Sequence, residues 1–214
     1  GAAGSGARVM TSSSSPGISL MAEGISYIIG AQLPCVLVNM VRGGPGLGNI
    51  APAQSDYNQA VKGTTHGDVH LIVLAPSSIQ EAVDLMYDAF DLADLYRNPV
   101  LVLGDGMIGQ MMEPVEFKEA TNKKLPPKTW AATGTRNSPD GKRRIINSLF
   151  MEPEDLESLN LALQKKYKEV AEKEVRYELY KMDSKLDVIF TAYGTTSRIV
   201  KYVIKKLKRK GTMA

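Results

Sequence analysis

A chain of 214 residues with 43% apolar and 23% charged side chains and a net charge of +3 has room for one complete α/β domain and part of a second. The balance is that of a soluble globular protein, and no apolar run nears the roughly 18 residues of a membrane-spanning helix. The single cysteine excludes an internal disulfide, and it excludes an iron–sulfur cluster held by this chain alone, because a cluster takes about four thiolates.

The chain opens Gly1-Ala2-Ala3-Gly4-Ser5-Gly6, which has neither the charged nor the apolar region of a signal peptide and reads as a cut inside a fold. Residues 8–11 form a short strand-like run. The turn Ser12-Ser13-Ser14-Ser15-Pro16-Gly17 then starts an apolar helix reaching about residue 29, since hydroxyls cap free N–H groups and proline is tolerated in a first turn. Residues 35–41 are continuously apolar except for Asn39, as expected of a buried parallel strand in which Cys35 is a small hydrophobe. The loop Gly43-Gly44-Pro45-Gly46-Leu47-Gly48-Asn49 follows at once.

Residues 71–74 are the next apolar strand. Ser77-Ser78-Ile79-Gln80-Glu81 opens a long helix whose Ala82, Leu85, Met86, Ala89 and Ala93 share a face, and residues 100–103 are a further strand. Strand and helix alternating with crossover-length connections predict an α/β domain over 1–110, a mostly parallel sheet with helices on both faces. From 111 to 151 the chain turns to Pro, Gly, Lys and Asn, and an acidic start at Glu152-Pro153-Glu154-Asp155 leads a charged helix to about residue 182. Residues 111–184 thus read as a linker and a connecting helix crossing the surface. Residues 186–190 predict a strand, and Gly194-Thr195-Thr196-Ser197 leads into a helix carrying Ile199, Val200, Val203, Ile204 and Leu207. Residues 185–214 read as the beginning of a second α/β domain, cut short. The basic residues Lys201, Lys205, Lys206, Lys208, Arg209 and Lys210 read as a solvated helix end rather than a nucleic-acid site.

Parallel strands followed by glycine-rich turns place ligands at the strands' carboxyl ends. The loop 43–49 fails as a nucleotide cradle. A dinucleotide fingerprint counted from Gly44 and Gly46 needs a glycine where Asn49 stands, and a phosphate-binding loop needs a Gly-Lys-Ser/Thr ending. Arg42 closes the buried strand, and its planar fork suits a carboxylate; the alternative is an ion pair with Asp56 or Asp68. Asp105, within Gly104-Asp105-Gly106, lacks the asparagine that a magnesium–diphosphate motif carries about a helix later and reads as a turn residue. His66 and His70 have no metal-binding spacing, no serine–histidine–acid triad is legible, and no metal site is predicted.

The run from Thr11 to Gly17, Arg42-Gly43-Gly44-Pro45-Gly46-Leu47-Gly48, and Leu103-Gly104-Asp105-Gly106-Met107-Ile108-Gly109-Gln110-Met111-Met112-Glu113-Pro114 together resemble the α subunit of 2-oxoacid:ferredoxin oxidoreductases, nearest the branched-chain type. The resemblance spans nearly the whole chain. It implies the pyrimidine-binding domain of a thiamine diphosphate fold, followed by a transketolase C-terminal-like domain. It further implies oxidative decarboxylation of a branched-chain 2-oxoacid to acyl-CoA, with single electrons passing to iron–sulfur clusters and on to ferredoxin. The cofactor is shared with a partner subunit, and Mg2+ and [4Fe–4S] clusters sit on partner subunits. Coenzyme A and ferredoxin are met through the complex, in the cytoplasm, with no nucleic acid or membrane partner. Arg42 matches the arginine that meets the substrate carboxylate, and Thr11, Ser12, Ser13, Ser14 and Ser15 match the turn beside the pyrimidine ring. The activating glutamate is expected upstream of Gly1, so no catalytic residue is assigned within these residues, and the chain alone is expected to be inactive. A non-catalytic module that completes a partner's site is the alternative.

Overall fold

The structure, a computed structural model, describes residues 1–119, 123–182 and 186–209. Four strands form one parallel sheet: β1 (Met10–Ser13), β2 (Cys35–Val41), β3 (Ile72–Leu74) and β4 (Pro99–Asp105), in the order β1-β2-β4-β3. Helices α1 (Ser15–Leu20), α2 (Ala22–Gly30), α3 (Tyr57–Lys62), α4 (Ile79–Tyr96) and α5 (Gly106–Gln110) fill the connections, and α6 (Pro153–Lys173) and α7 (Gly194–Arg209) follow.

The two inner strands are β2 and β4, paired from Cys35 beside Pro99 to Val41 beside Asp105, and they are buried almost throughout. Successive side chains point to opposite faces, so one core gathers Leu37, Val41, Leu101 and Leu103 under α2, α3 and α6. The other gathers Val36, Val38, Val100 and Val102 under α4, whose Ala89, Leu92 and Ala93 supply the apolar stripe. Each such buried aliphatic side chain contributes about 1.5–3 kcal/mol relative to exposure. Cys35 lies in the first core, where burial pushes its thiol pKa up. That is the small-hydrophobe role expected of it.

Several expectations on element boundaries change. The strand read over 8–11 is β1 at Met10–Ser13, because its ladder runs from Met10 beside Val36 to Ser13 beside Asn39. The single helix read to residue 29 is two, meeting at Met21, whose N–H is shared between the carbonyls of Gly17 and Ile18 at 3.1 Å each. The charged helix ends at Lys173 rather than near 182: Glu174 leaves helical geometry, and its carboxylate accepts a hydrogen bond from the Tyr96 hydroxyl at 2.8 Å. Residues 186–190 form no strand. A strand exists only by pairing, and among the described residues nothing pairs with this run, whose Val188, Ile189 and Phe190 stay exposed.

The helix read as a surface connector is anchored. Leu159 and Leu163 on α6 enter the first core, with Tyr167 packed beside them. Replacing Leu163, which is 3% exposed, by alanine should therefore cost about 2–5 kcal/mol in denaturant unfolding. A surface connector would lose only about 0.5 kcal/mol or less, and that result would return α6 to the surface. The segment before α6 is tied down as well. Lys128 Nζ lies 2.6 Å from Asp94 and donates to Gly6 O at 3.0 Å, Ala132 N–H donates to Gly4 O at 2.8 Å, and Arg97 stacks 4.7 Å from the Trp130 ring centre.

On the same helix Lys166 Nζ donates to Arg97 O at 3.2 Å and Gln32 Oε1 at 3.4 Å. Burial, reinforced by the charge of Arg97, brings its pKa down to about 8. The folded pKa lies below the unfolded one, so the cost of burying the charge is present in full below pH 8 and is relieved as pH rises from there toward about 10.4. Melting temperatures between about pH 7.5 and 9.5 should rise for this group's part, and Lys166→Met should remove that rise. Equal pH slopes in the two proteins would show that the lysine is not coupled to folding.

Candidate functional site

The carboxyl ends of β1, β2 and β4 converge, and there the loops carry the polar groups that the apolar strands lack. Thr11, Ser12 and Ser13 lie in β1, Ser14 stands just before α1, and Ser15 is its first residue. The five residues are therefore not one turn. Pairing of Thr11, Ser12 and Ser13 with Leu37, Val38 and Asn39 keeps three of them extended. Thr11 Oγ1 faces Met21 Sδ at 3.9 Å, and Ser12 points to the opposite, exposed side. Ser13 Oγ lies where a side chain at 17 would begin: a Cβ on Gly17 would stand 1.9 Å from it.

Ser14 has the extended backbone of a helix cap, yet its hydroxyl makes no cap bond; it accepts from Arg42 Nε at 3.0 Å. Ser15 is buried, and its hydroxyl donates to Arg42 O at 3.3 Å and accepts from Arg42 N–H at 3.2 Å. Arg42 Nη1 donates to Leu47 O and, at 3.1 Å, to Asn49 O. The guanidinium is thus held at Nε by a hydroxyl and at Nη1 by two loop carbonyls, with Nη2 outside these contacts. Among the described residues it pairs with neither Asp56 nor Asp68. Asp56 instead accepts from Asn39 Nδ2 at 3.1 Å. The loop closes tightly on itself. Asn49 N–H donates to Gly43 O at 2.9 Å, and Gly48, at φ +56°, approaches so near that a Cβ there would stand 1.7 Å from Gly43 O.

At the end of β4, Asp105 Oδ1 accepts from the N–H groups of Met107 and Ile108 at 2.9 and 3.0 Å and so caps α5. Its other oxygen accepts from the Thr195 hydroxyl. The start of α7 is fastened over the same strand ends: Thr196 Oγ1 donates to Gln54 Oε1 at 2.7 Å, and Gln54 Nε2 donates to Tyr193 O at 3.1 Å. Arg198 pairs with Glu113 at 2.8 Å, and the hydrogen bond from the Ile79 N–H, followed by that from Arg198, holds the Glu113 carboxyl below the usual carboxylate range. Sequence reasoning missed this docking of Gly194-Thr195-Thr196-Ser197. The signal that could have found it was the glycine-threonine turn opening a helix. His66 Nε2 lies 3.3 Å from Ser26 Oγ and the His70 ring packs edge-on to Tyr167 at 5.0 Å, so the two histidines do not converge. Among the described residues no three His, Cys, Asp or Glu side chains gather as metal ligands, and no helix is long and apolar enough to cross a membrane.

The arrangement offers a cationic fork beside the hydroxyls of Ser14 and Ser15 and a glycine-lined loop, a chemistry suited to a carboxylate. Comparison with known proteins gives this geometry a context. The chain is 48% identical over 211 residues to the ketoisovalerate oxidoreductase subunit VorB of Methanothermobacter marburgensis, covering 99% of this chain and 59% of that protein. It is 34% identical over 222 residues to the 2-oxoglutarate synthase subunit KorA of Archaeoglobus fulgidus, covering 100% of this chain and 61% of the relative. The chain thus spans about three fifths of the length of these relatives. In fold it matches the 2-oxoglutarate:ferredoxin oxidoreductase from Magnetococcus marinus with a TM-score of 0.80 at 23% identity, covering 99% of this chain and 41% of that one. Residues 1–181 match the family described as "Pyruvate flavodoxin/ferredoxin oxidoreductase, thiamine diP-bdg", and the chain belongs to that family.

Proposed function

We propose that this chain forms part of a subunit of an oxidoreductase that converts a branched-chain 2-oxoacid to acyl-CoA and CO2, with ferredoxin as electron acceptor. The observation that carries the reading is the 48% identity, over 99% of the chain, to a ketoisovalerate oxidoreductase subunit. The organisation we assign is a pyrimidine-side domain over 1–110, a linker and connecting helix over 111–184, and the start of a transketolase C-terminal-like domain from 185. The complex is placed in the cytoplasm.

The residues present fit one side of thiamine diphosphate. Thr11, Ser12, Ser13, Ser14 and Ser15 are assigned to the pyrimidine side on the family resemblance, with Thr11 facing Met21 and Ser14 and Ser15 bonded to Arg42. Arg42, paired with neither nearby aspartate, suits the substrate carboxylate. The residues present do not fit the diphosphate and its metal: among the described residues no three His, Cys, Asp or Glu side chains gather as metal ligands, and Asp105 is engaged by two N–H groups and a hydroxyl. Mg2+ and [4Fe–4S] clusters are accordingly assigned to partner subunits, since the one thiol here is buried in the core. Thiamine diphosphate, when bound, supplies the electron sink that lets CO2 leave the 2-oxoacid. This chain's part is to orient: Arg42 fixes the carboxylate that will leave, and the serine row sets the position of the ring.

The test is made on the full-length protein purified anaerobically with its partner subunits. Coenzyme A-dependent viologen reduction should be fastest with 3-methyl-2-oxobutanoate and slower with pyruvate or 2-oxoglutarate. No coenzyme A-dependent reduction with any 2-oxoacid would remove the enzyme reading and leave the assembly module. Calorimetry checks the split site separately: thiamine diphosphate with Mg2+ should bind weakly to this chain alone and tightly after assembly. Tight, magnesium-dependent binding to the chain alone would contradict the split and return Asp105 as a metal ligand.

A further inference from the structure

Strand β2 is apolar from Cys35 to Val41 except at Asn39, which is 1% exposed. A buried amide is costly unless both its ends are bonded, and an aliphatic side chain would fill a central parallel strand as well. Both ends are used. Asn39 Oδ1 accepts the N–H of Ser15 at 3.0 Å, and Nδ2 donates to Asp56 Oδ2 at 3.1 Å. Ser15 N–H is one of the free donors in the first turn of α1, one position before those a cap side chain reaches. Ser14 occupies the cap position but has given its hydroxyl to Arg42 Nε. The amide therefore serves the helix start from beneath, while the cap residue's own hydroxyl holds the guanidinium. Its other end reaches Asp56, beyond the loop that supplies the carbonyls for Arg42 Nη1. One buried side chain thus joins the serine row on one flank of Arg42 to the segment that closes the loop on the other.

We infer that Asn39 is a positioning residue of the 2-oxoacid site, setting the serine row and the Asp56 segment about Arg42 without touching substrate. The inference rests on the reading of Arg42 given above. In the full-length assembled enzyme, Asn39→Leu should lower kcat/KM for 3-methyl-2-oxobutanoate roughly tenfold to a hundredfold, the scale that small displacements of positioning groups produce. Because it acts through Arg42, the same substitution made in an Arg42→Ala background should add little further kinetic loss, although any stability losses add. A second pair keeps the test decisive if the leucine variant does not assemble. Asn39→Asp sets two carboxylates against each other and should lose activity, whereas Asn39→Asp with Asp56→Asn restores one donor facing one acceptor and should recover most of the loss. A purely packing role would give neither the coupling nor the recovery. Wild-type kinetics in assembled Asn39→Leu, an equal loss in the Arg42→Ala background, or no recovery in the exchanged pair each overturns the inference. If Arg42→Ala is itself silent, the reading of the site falls first and the inference with it; if Arg42→Ala is impaired and Asn39 is silent, only the inference falls.

Discussion

Replacing Gly48 by alanine should lower kcat/KM for the 2-oxoacid by about a hundredfold in the assembled enzyme while moving the melting temperature little. Gly48 sits at φ +56°, where an L side chain is strained, and its Cβ would stand 1.7 Å from the Gly43 carbonyl oxygen. Backbone cannot yield as a flexible side chain does, so residues 43–49 must reopen. The two carbonyls that hold Arg42 Nη1 belong to Leu47 and Asn49, the residues on either side of Gly48, and reopening carries both away. The loop is exposed and contributes no side chain to either core, which is why the loss should appear in kinetics rather than in unfolding. Gly44 is the comparison: a Cβ there meets nothing within 4 Å, and Gly44→Ala should stay close to wild type. Comparable kinetics for the Gly48 and Gly44 variants would show that the loop does not set the position of the guanidinium.

The sheet was legible because β2 and β4 are buried on both faces, and that burial writes itself as apolar runs at 35–41, interrupted only by Asn39, and at 100–103. The amphipathic stripe of α4 was legible for the related reason that only one face of it is buried. The run at 186–190 has the same local character as a strand and misled, because local character fixes what a segment prefers and pairing decides what it becomes. The charged exterior of α6 hid its two inward leucines, so a helix with Leu159 and Leu163 in the core read as a connector. At the site, a strand-end arginine after an apolar run was a strong signal for Arg42. What it bonds was not readable, since the carbonyls of Leu47 and Asn49 are main-chain groups that any sequence would supply. The same holds for Asp105, whose two N–H partners and threonine partner arise from the positions of α5 and α7 rather than from any motif.

Arg42 is where the proposed chemistry and the local structure make different demands of one side chain. Its fork is held by Ser14 Oγ and two carbonyls, and it forms no ion pair with Asp56 or Asp68, so its charge is not consumed by a nearby carboxylate. Contact of Nη2 with a 2-oxoacid carboxylate depends on the planar fork that Ser14 Oγ and the two carbonyls hold in place, and lysine lacks that fork though it keeps the charge. Losing a hydrogen bond to a charged group costs on the order of 1.5–3 kcal/mol, so Arg42→Lys should reduce kcat/KM about tenfold to a hundredfold and Arg42→Ala at least as much. The bonds to Leu47 O and Asn49 O lie in an exposed loop, so global stability and subunit assembly should change little. The decisive measurement is the melting temperature and the 3-methyl-2-oxobutanoate kinetics taken on the same Arg42→Lys and Arg42→Ala preparations of the assembled enzyme. The predicted result is a large fall in kcat/KM with a nearly unchanged melting temperature; kinetics equal to wild type alongside a lowered melting temperature would contradict it and make Arg42 a brace for the loop.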